Sequence, residues 1–206
     1  MPQDLIDLIR VSHLFFFALG MGAGLYFDVR ALRRINTAFT KDDIAGFNQV
    51  HNFVVFAVFG LWVTGIMMIY IRTGFSVSEF TPKLWMKLIV VMVLTANAFS
   101  IGRIVLPRVA QSVGQKAIEL PLRTILTMTT ATAFSVFCWL SGLTLGVSVT
   151  LKTADWATLC VFLIVGFVLI VSGALSVVLF LRSSINRRNK VDDRLVDGVA
   201  ASVNRH

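Results

Sequence analysis

Residues 53–71 read FVVFAVFGLWVTGIMMIYI, and no charged side chain interrupts them. A helix rises ~1.5 Å per residue and a bilayer core is ~30 Å thick, so about 20 apolar residues cross it. Residues 9–28, 84–105, 122–149 and 156–181 form four further apolar stretches of similar length. The expectation is an all-α integral membrane bundle of five transmembrane helices. Residues 1–182 make one domain, and 183–206 form a polar tail expected to be mobile. Hydrophobic residues fill 56% of the 206 positions and charged ones 15%, more apolar surface than a soluble fold of this size could cover.

The net charge of +8 is informative through its distribution. Of the 19 Lys and Arg residues, 14 follow the first, third and fifth stretches: Arg30, Arg33, Arg34 and Lys41; Arg103, Arg108, Lys116 and Arg123; and six in the tail from Arg182 to Arg205. Arg10, Arg72, Lys83, Lys87 and Lys152 fall on the other side. Cytoplasmic loops hold the basic residues, so the N-terminus is expected outside and the C-terminus in the cytoplasm of a bacterial inner membrane. A basic face against anionic headgroups accounts for the charge, and no nucleic-acid partner is implied. Asp4 and Asp7 precede Arg10, the reverse of a secretory signal, so the first helix is expected to stay in the membrane. Cys138 and Cys160 lie inside helices and outside any CxxC pattern.

The connections carry their own signals. Thr40-Lys-Asp-Asp43 has the form of a capping box, and Thr81-Pro82 that of an N-cap followed by proline at the first helical position. Tyr70, Trp85 and Trp156 share one depth as an aromatic belt. Between Pro107 and Pro121, Val109, Val113, Ala117 and Leu120 recur on one face, which predicts a short interfacial helix.

Ionisable residues at membrane depth are costly and so carry most of the functional information. His13 and Lys87 lie about one turn below the outer boundary of their helices. His51 lies near the opposite face, level with Asp28, Asn48, Asn52, Asn97 and Arg103. Two polar layers are therefore expected. Each residue also has a plain structural reading: Lys87 snorkels to the headgroups, His51 bonds interfacial water, Arg103 anchors the helix end, and Asn97 joins two helices. Gly20 and Gly24 fall on the stripe of His13, and Gly142 and Gly146 repeat the spacing. Such stripes serve close helix packing, and below a histidine they could also admit a flat macrocycle.

The run from Trp85 through Lys87 and Asn97 to Gly102-Arg103, with His13, Gly24-Leu-Tyr-Phe27 and Arg30 in the first helix, resembles the HemJ-type membrane proteins and, more distantly, CopD-like copper-resistance proteins. The resemblance covers about the first half of the chain. Asn97-Ala98 stands where that family has Tyr-His. The resemblance implies a redox protein linked to protoporphyrinogen IX oxidation, with haem b as cofactor and His13 and Lys87 as its residues. His13 would hold the haem iron, with Gly20, Gly24 and Arg103 completing the site and His51 as a second metal candidate. A flat apolar slot and an axial imidazole are what such a haem needs. Two histidines at opposite faces do not make a bis-histidine dihaem site. Two other classes stay open: a transporter or permease, copper included, and an anchor or assembly subunit of a homo-oligomer or larger membrane complex. Met21, Met67, Met68, Met86, Met92 and Met128 are soft donors without a repeated spacing, and read as packing.

Overall fold

The computed structural model describes residues 2–33 and 35–203, with side-chain surroundings for all of these except 118, 186 and 189–203. Arg34 and Arg205 of the basic clusters therefore lie outside the described residues. Six helices and no strands are present among them: α1 Gln3–Arg33, α2 Lys41–Thr73, α3 Pro82–Ser100, α4 Leu106–Ala110, α5 Leu122–Val147 and α6 Trp156–Val203. With α3 and α4 taken as one rod, five helices are long and apolar enough to cross a membrane.

The helix starts follow from local chemistry. Thr40 accepts from the Asp43 backbone N–H at 3.1 Å, and Asp43 accepts from the Thr40 backbone N–H at 3.1 Å, so the capping box forms as its sequence demands. Asp43 is itself buried and meets Arg30 at 3.5 Å, which pins the end of α1 to the start of α2. At α3 the Thr81 hydroxyl accepts from Leu84 N–H, with Pro82 beginning the helix.

Three boundaries differ from expectation. The third span does not stop near residue 105: a π-helical turn over Ile101–Val105 carries it through Pro107 to Ala110. Proline lacks the N–H an α-helix needs and its ring crowds the carbonyl four residues back, and a wider turn on its N-terminal side relieves both. The interfacial helix expected between Pro107 and Pro121 is absent. Gly114, at φ +85°, turns the chain after Ala110, and only a single 3₁₀ turn forms, at Ala117–Glu119. That loop instead clasps the α1–α2 connection: Phe39 N–H donates to Gln115 O at 3.0 Å and Gly114 N–H to Phe39 O at 2.9 Å. Val109 and Leu120 are buried under the clasp, while Val113 stays exposed. Finally, the tail continues α6 as helix to Val203. Residues 187–203 contain no proline and one glycine, so nothing local breaks the helix.

α1 runs along α2, and α5 packs between α3 and α6. Two buried clusters result. One gathers Leu61, Met86, Val90, Trp139 and Leu145 in the half holding the N-terminus. The other gathers Phe39, Phe47, Val105, Leu106, Leu120 and Val178 in the half towards the tail.

Candidate functional site

The two polar layers expected from the sequence are both present, and they are built differently. In the N-terminal half His13 of α1 faces α2. Its Nδ1 lies 2.8 Å from the Thr64 hydroxyl oxygen, and that hydroxyl donates back to the Gly60 carbonyl at 2.7 Å. The hydroxyl proton is thereby used, so the bond to His13 is donated by Nδ1–H, which leaves Nε2 the bare nitrogen of the neutral ring. Lys87 lies within electrostatic reach of this imidazole.

Aromatic rings fill the glycine stripe beside His13. Gly20 is buried, and the Trp139 indole of α5 lies against it so tightly that a Cβ there would collide. Trp139 also rests on Gly24, Phe16 is pressed on Gly60, and Phe17 meets Trp139 edge-on at 5.3 Å. A haem ligated by His13 would need this groove to be open. The residues around His13 do not fit a haem, and the stripe serves helix packing.

In the tail half the helices leave a cavity of about 360 Å³. Leu94, Ala98, Ile101, Met128 and Val178 supply apolar wall, and α1, α2 and α6 contribute Asp28, His51 and Arg182 respectively. Gly24 reaches it as well, so the two layers adjoin at that residue. The π-helical turn positions one wall. A Cβ built on Gly102 would stand 2.8 Å from His51 Nε2, so a glycine in that turn is what lets the imidazole lie there. π turns of this kind recur at functional sites.

The cavity's ionisable groups have no partner among the described residues. Asp28 and His51 make no hydrogen bond or ion pair with the described residues. One Arg182 guanidinium nitrogen is buried with no acceptor. Buried polar groups are satisfied in the great majority of cases, so the Arg182 nitrogen needs an explanation, as does the buried Trp139 Nε1 of the other layer; Asp28 and His51 are half-buried. An apolar pocket with a few convergent polar groups is the usual form of a small-molecule site.

Other residues singled out in the sequence fall elsewhere. Arg103 is exposed, with its guanidinium 5.0 Å above the Phe99 ring, and does not line the cavity. Asn97 donates to the Ala131 carbonyl at 2.9 Å and so ties α3 to α5. Asn48 bonds its own helix at Ile44 O. Cys138 is buried and Cys160 exposed. Among the described residues no three His, Cys, Asp or Glu side chains converge as a metal site. Sequence reasoning missed Arg182 as a site residue because it reads as the first of the tail's basic anchors. It missed Thr64 because a lone threonine in an apolar run carries no signal of its partner. No protein-family model, curated protein or solved structure matches the chain.

Proposed function

We propose that the chain is a multi-pass protein of a bacterial inner membrane, N-terminus outside, whose cytoplasmic-half cavity binds a flat, apolar, carboxylate-bearing ring of the tetrapyrrole class. The observation that supports this reading most is that Asp28, His51 and Arg182, none of them with a partner among the described residues, surround one apolar cavity. The apolar walls suit the body of such a ring. Arg182 offers a guanidinium to an acidic edge, a charge-assisted bond of the stronger kind. His51 borders the ring's place, and its Nε2, which now lies against Gly102, would have to turn about the side chain to meet a central iron where the ring carries one. A haem held there would supply one-electron redox chemistry. The resemblance of the Lys87 to Arg103 helix to HemJ-type proteins points to the same ligand class, with the binding residues moved from His13 and Lys87 to the opposite layer.

Titration of the detergent-purified protein with protoporphyrin IX and with haemin tests this. Saturable binding is expected, with a shifted Soret band for haemin, and Arg182→Gln should weaken it about tenfold, the loss of one charge-assisted bond. No saturable binding of either compound would overturn the reading.

A transport role is the second reading, favoured by Asp28, a carboxylate at membrane depth that forms no ion pair with the described residues. Flux of a carboxylated dye into vesicles, lost in Asp28→Asn, would favour it. The orientation is checked by cysteine labelling. Ser78→Cys should react from the periplasm, and Asn189→Cys only after the membrane is opened.

A further inference from the structure

Trp139 is 2% exposed, and its Nε1 has no acceptor among the described residues. A buried indole N–H ordinarily finds one. Trp62 does so, donating to the Thr95 hydroxyl at 3.0 Å. Packing over Gly20 does not explain the exception, because the atoms of Trp139 that meet Gly20 are the ring carbons Cη2 and Cζ2.

The lie of the ring shows where the N–H is turned. The benzene ring of the indole rests on Gly20, and the pyrrole ring, through Nε1 and Cδ1, rests on Gly24, one turn nearer the tail. Gly24 is also the innermost residue that α1 gives to the tail-half cavity, whose lining continues along α1 to Ile35, about 16 Å at the rise of a helix. A Cβ built on Gly24 would stand 3.7 Å from Nε1, and glycine leaves that place empty.

The wall formed by α5 leads to the same point. Thr129, Thr132 and Ser135 line the cavity, and Trp139 follows one turn on along the same face. Hydroxyls inside a helix can return to the carbonyl four residues back, as those of Thr64, Thr95, Thr127 and Thr144 do here. Those of Thr129, Thr132 and Ser135 bond nothing among the described residues. Thr130, off the cavity, is free as well, so the weight falls on the indole nitrogen. Arg182 is the last residue that α6 contributes, at the tail end. The cavity thus has a cationic donor at one end and a neutral donor at the other.

We infer that Trp139 Nε1–H is a ligand-binding donor at the inner end of this cavity, and that the ligand carries a neutral carbonyl oxygen on the edge opposite the carboxylate that Arg182 meets. This rests on the reading of the cavity as a site for a carboxylate-bearing ring, and narrows it. A neutral N–H bonds a carbonyl without placing a charge in the membrane interior. A hydrocarbon edge would leave the donor unmet, at the desolvation cost of an unpaired polar group.

The test titrates the full chain in detergent with protoporphyrin IX and with diacetyldeuteroporphyrin, which has acetyl groups in place of the vinyls on the edge opposite the propionates. The diacetyl compound should bind about fivefold more tightly, the worth of one neutral hydrogen bond, and its acetyl carbonyl stretch should fall in the infrared difference spectrum. Trp139→Phe keeps an aromatic ring in the groove and removes the N–H. It should abolish both the preference and the carbonyl shift, and leave protoporphyrin IX affinity within about twofold. Gly24→Ala puts a methyl in ordinary contact 3.7 Å from Nε1 and covers the N–H. It should act in the same way, and it decides the matter where Trp139→Phe does not fold. Equal binding of the two porphyrins, or a preference that survives either substitution in folded protein, overturns the inference and leaves the tetrapyrrole reading standing. Binding of neither porphyrin overturns both.

Discussion

His13 and His51 are both imidazoles near one end of a helix, yet their surroundings are opposite in kind. His13 spends its N–H on Thr64, and the groove below it is packed with Trp139, Phe16 and Phe17. His51 borders an apolar cavity, bonds nothing in the described protein, and shares that cavity with Asp28 and Arg182. A polar residue whose bonds are met within the fold holds the fold together. A set of polar residues left unmet around a space is shaped for something else. The difference makes the tail layer the better candidate for binding, although the buried Trp139 Nε1 shows that the N-terminal layer also holds one unmet polar atom.

Substitutions that remove packing and those that fill space should therefore have opposite signs in the two layers. The largest effect is expected from Trp139→Ala. It empties the groove over Gly20 and Gly24, and should destabilise the protein by about 3–5 kcal/mol, seen as a large fall in the thermal midpoint in detergent. In the tail layer, Arg182→Met removes a half-buried guanidinium of which one nitrogen is buried without an acceptor. The ligand-free protein should become more stable by about 1–3 kcal/mol while losing ligand affinity. A fall in stability instead would mean that Arg182 is satisfied internally and that the two layers are alike. Ala98→Leu extends a side chain into the cavity and should stabilise by about 0.5–2 kcal/mol, again at the cost of binding. Thr64→Val is expected to be mildest, near 0.6 kcal/mol, the usual size of one interhelical hydrogen bond in a membrane. A much larger loss would show that the His13 bond has a role beyond holding α1 to α2.

The helices were legible in the sequence because membrane span length and capping are local properties. Thr40 to Asp43 and Thr81-Pro82 mark their boundaries through residues within one turn. The π turn before Pro107 and the clasp between Phe39 and Gln115 were not legible, since one needs the whole rod to continue and the other joins distant loops. The site was half legible. Depth along each helix placed His51 and Asp28 on one level, which the cavity reflects. Rotation about the helix axis decides which glycine stripe stays open. That depends on the bulky residue that α5 brings across, and nothing near Gly20 in the chain announces Trp139.

Ligand binding is expected in the His51 layer and not in the His13 layer. Haemin titration of His13→Ala and His51→Ala, read at the Soret band beside the unsubstituted protein, tests it most directly. His51→Ala should shift the band and weaken binding about tenfold or more, and His13→Ala should leave affinity within about twofold. A band abolished by His13→Ala and untouched by His51→Ala would place the ligand in the His13 layer, and would require the ring-filled groove over Gly20 to open for it.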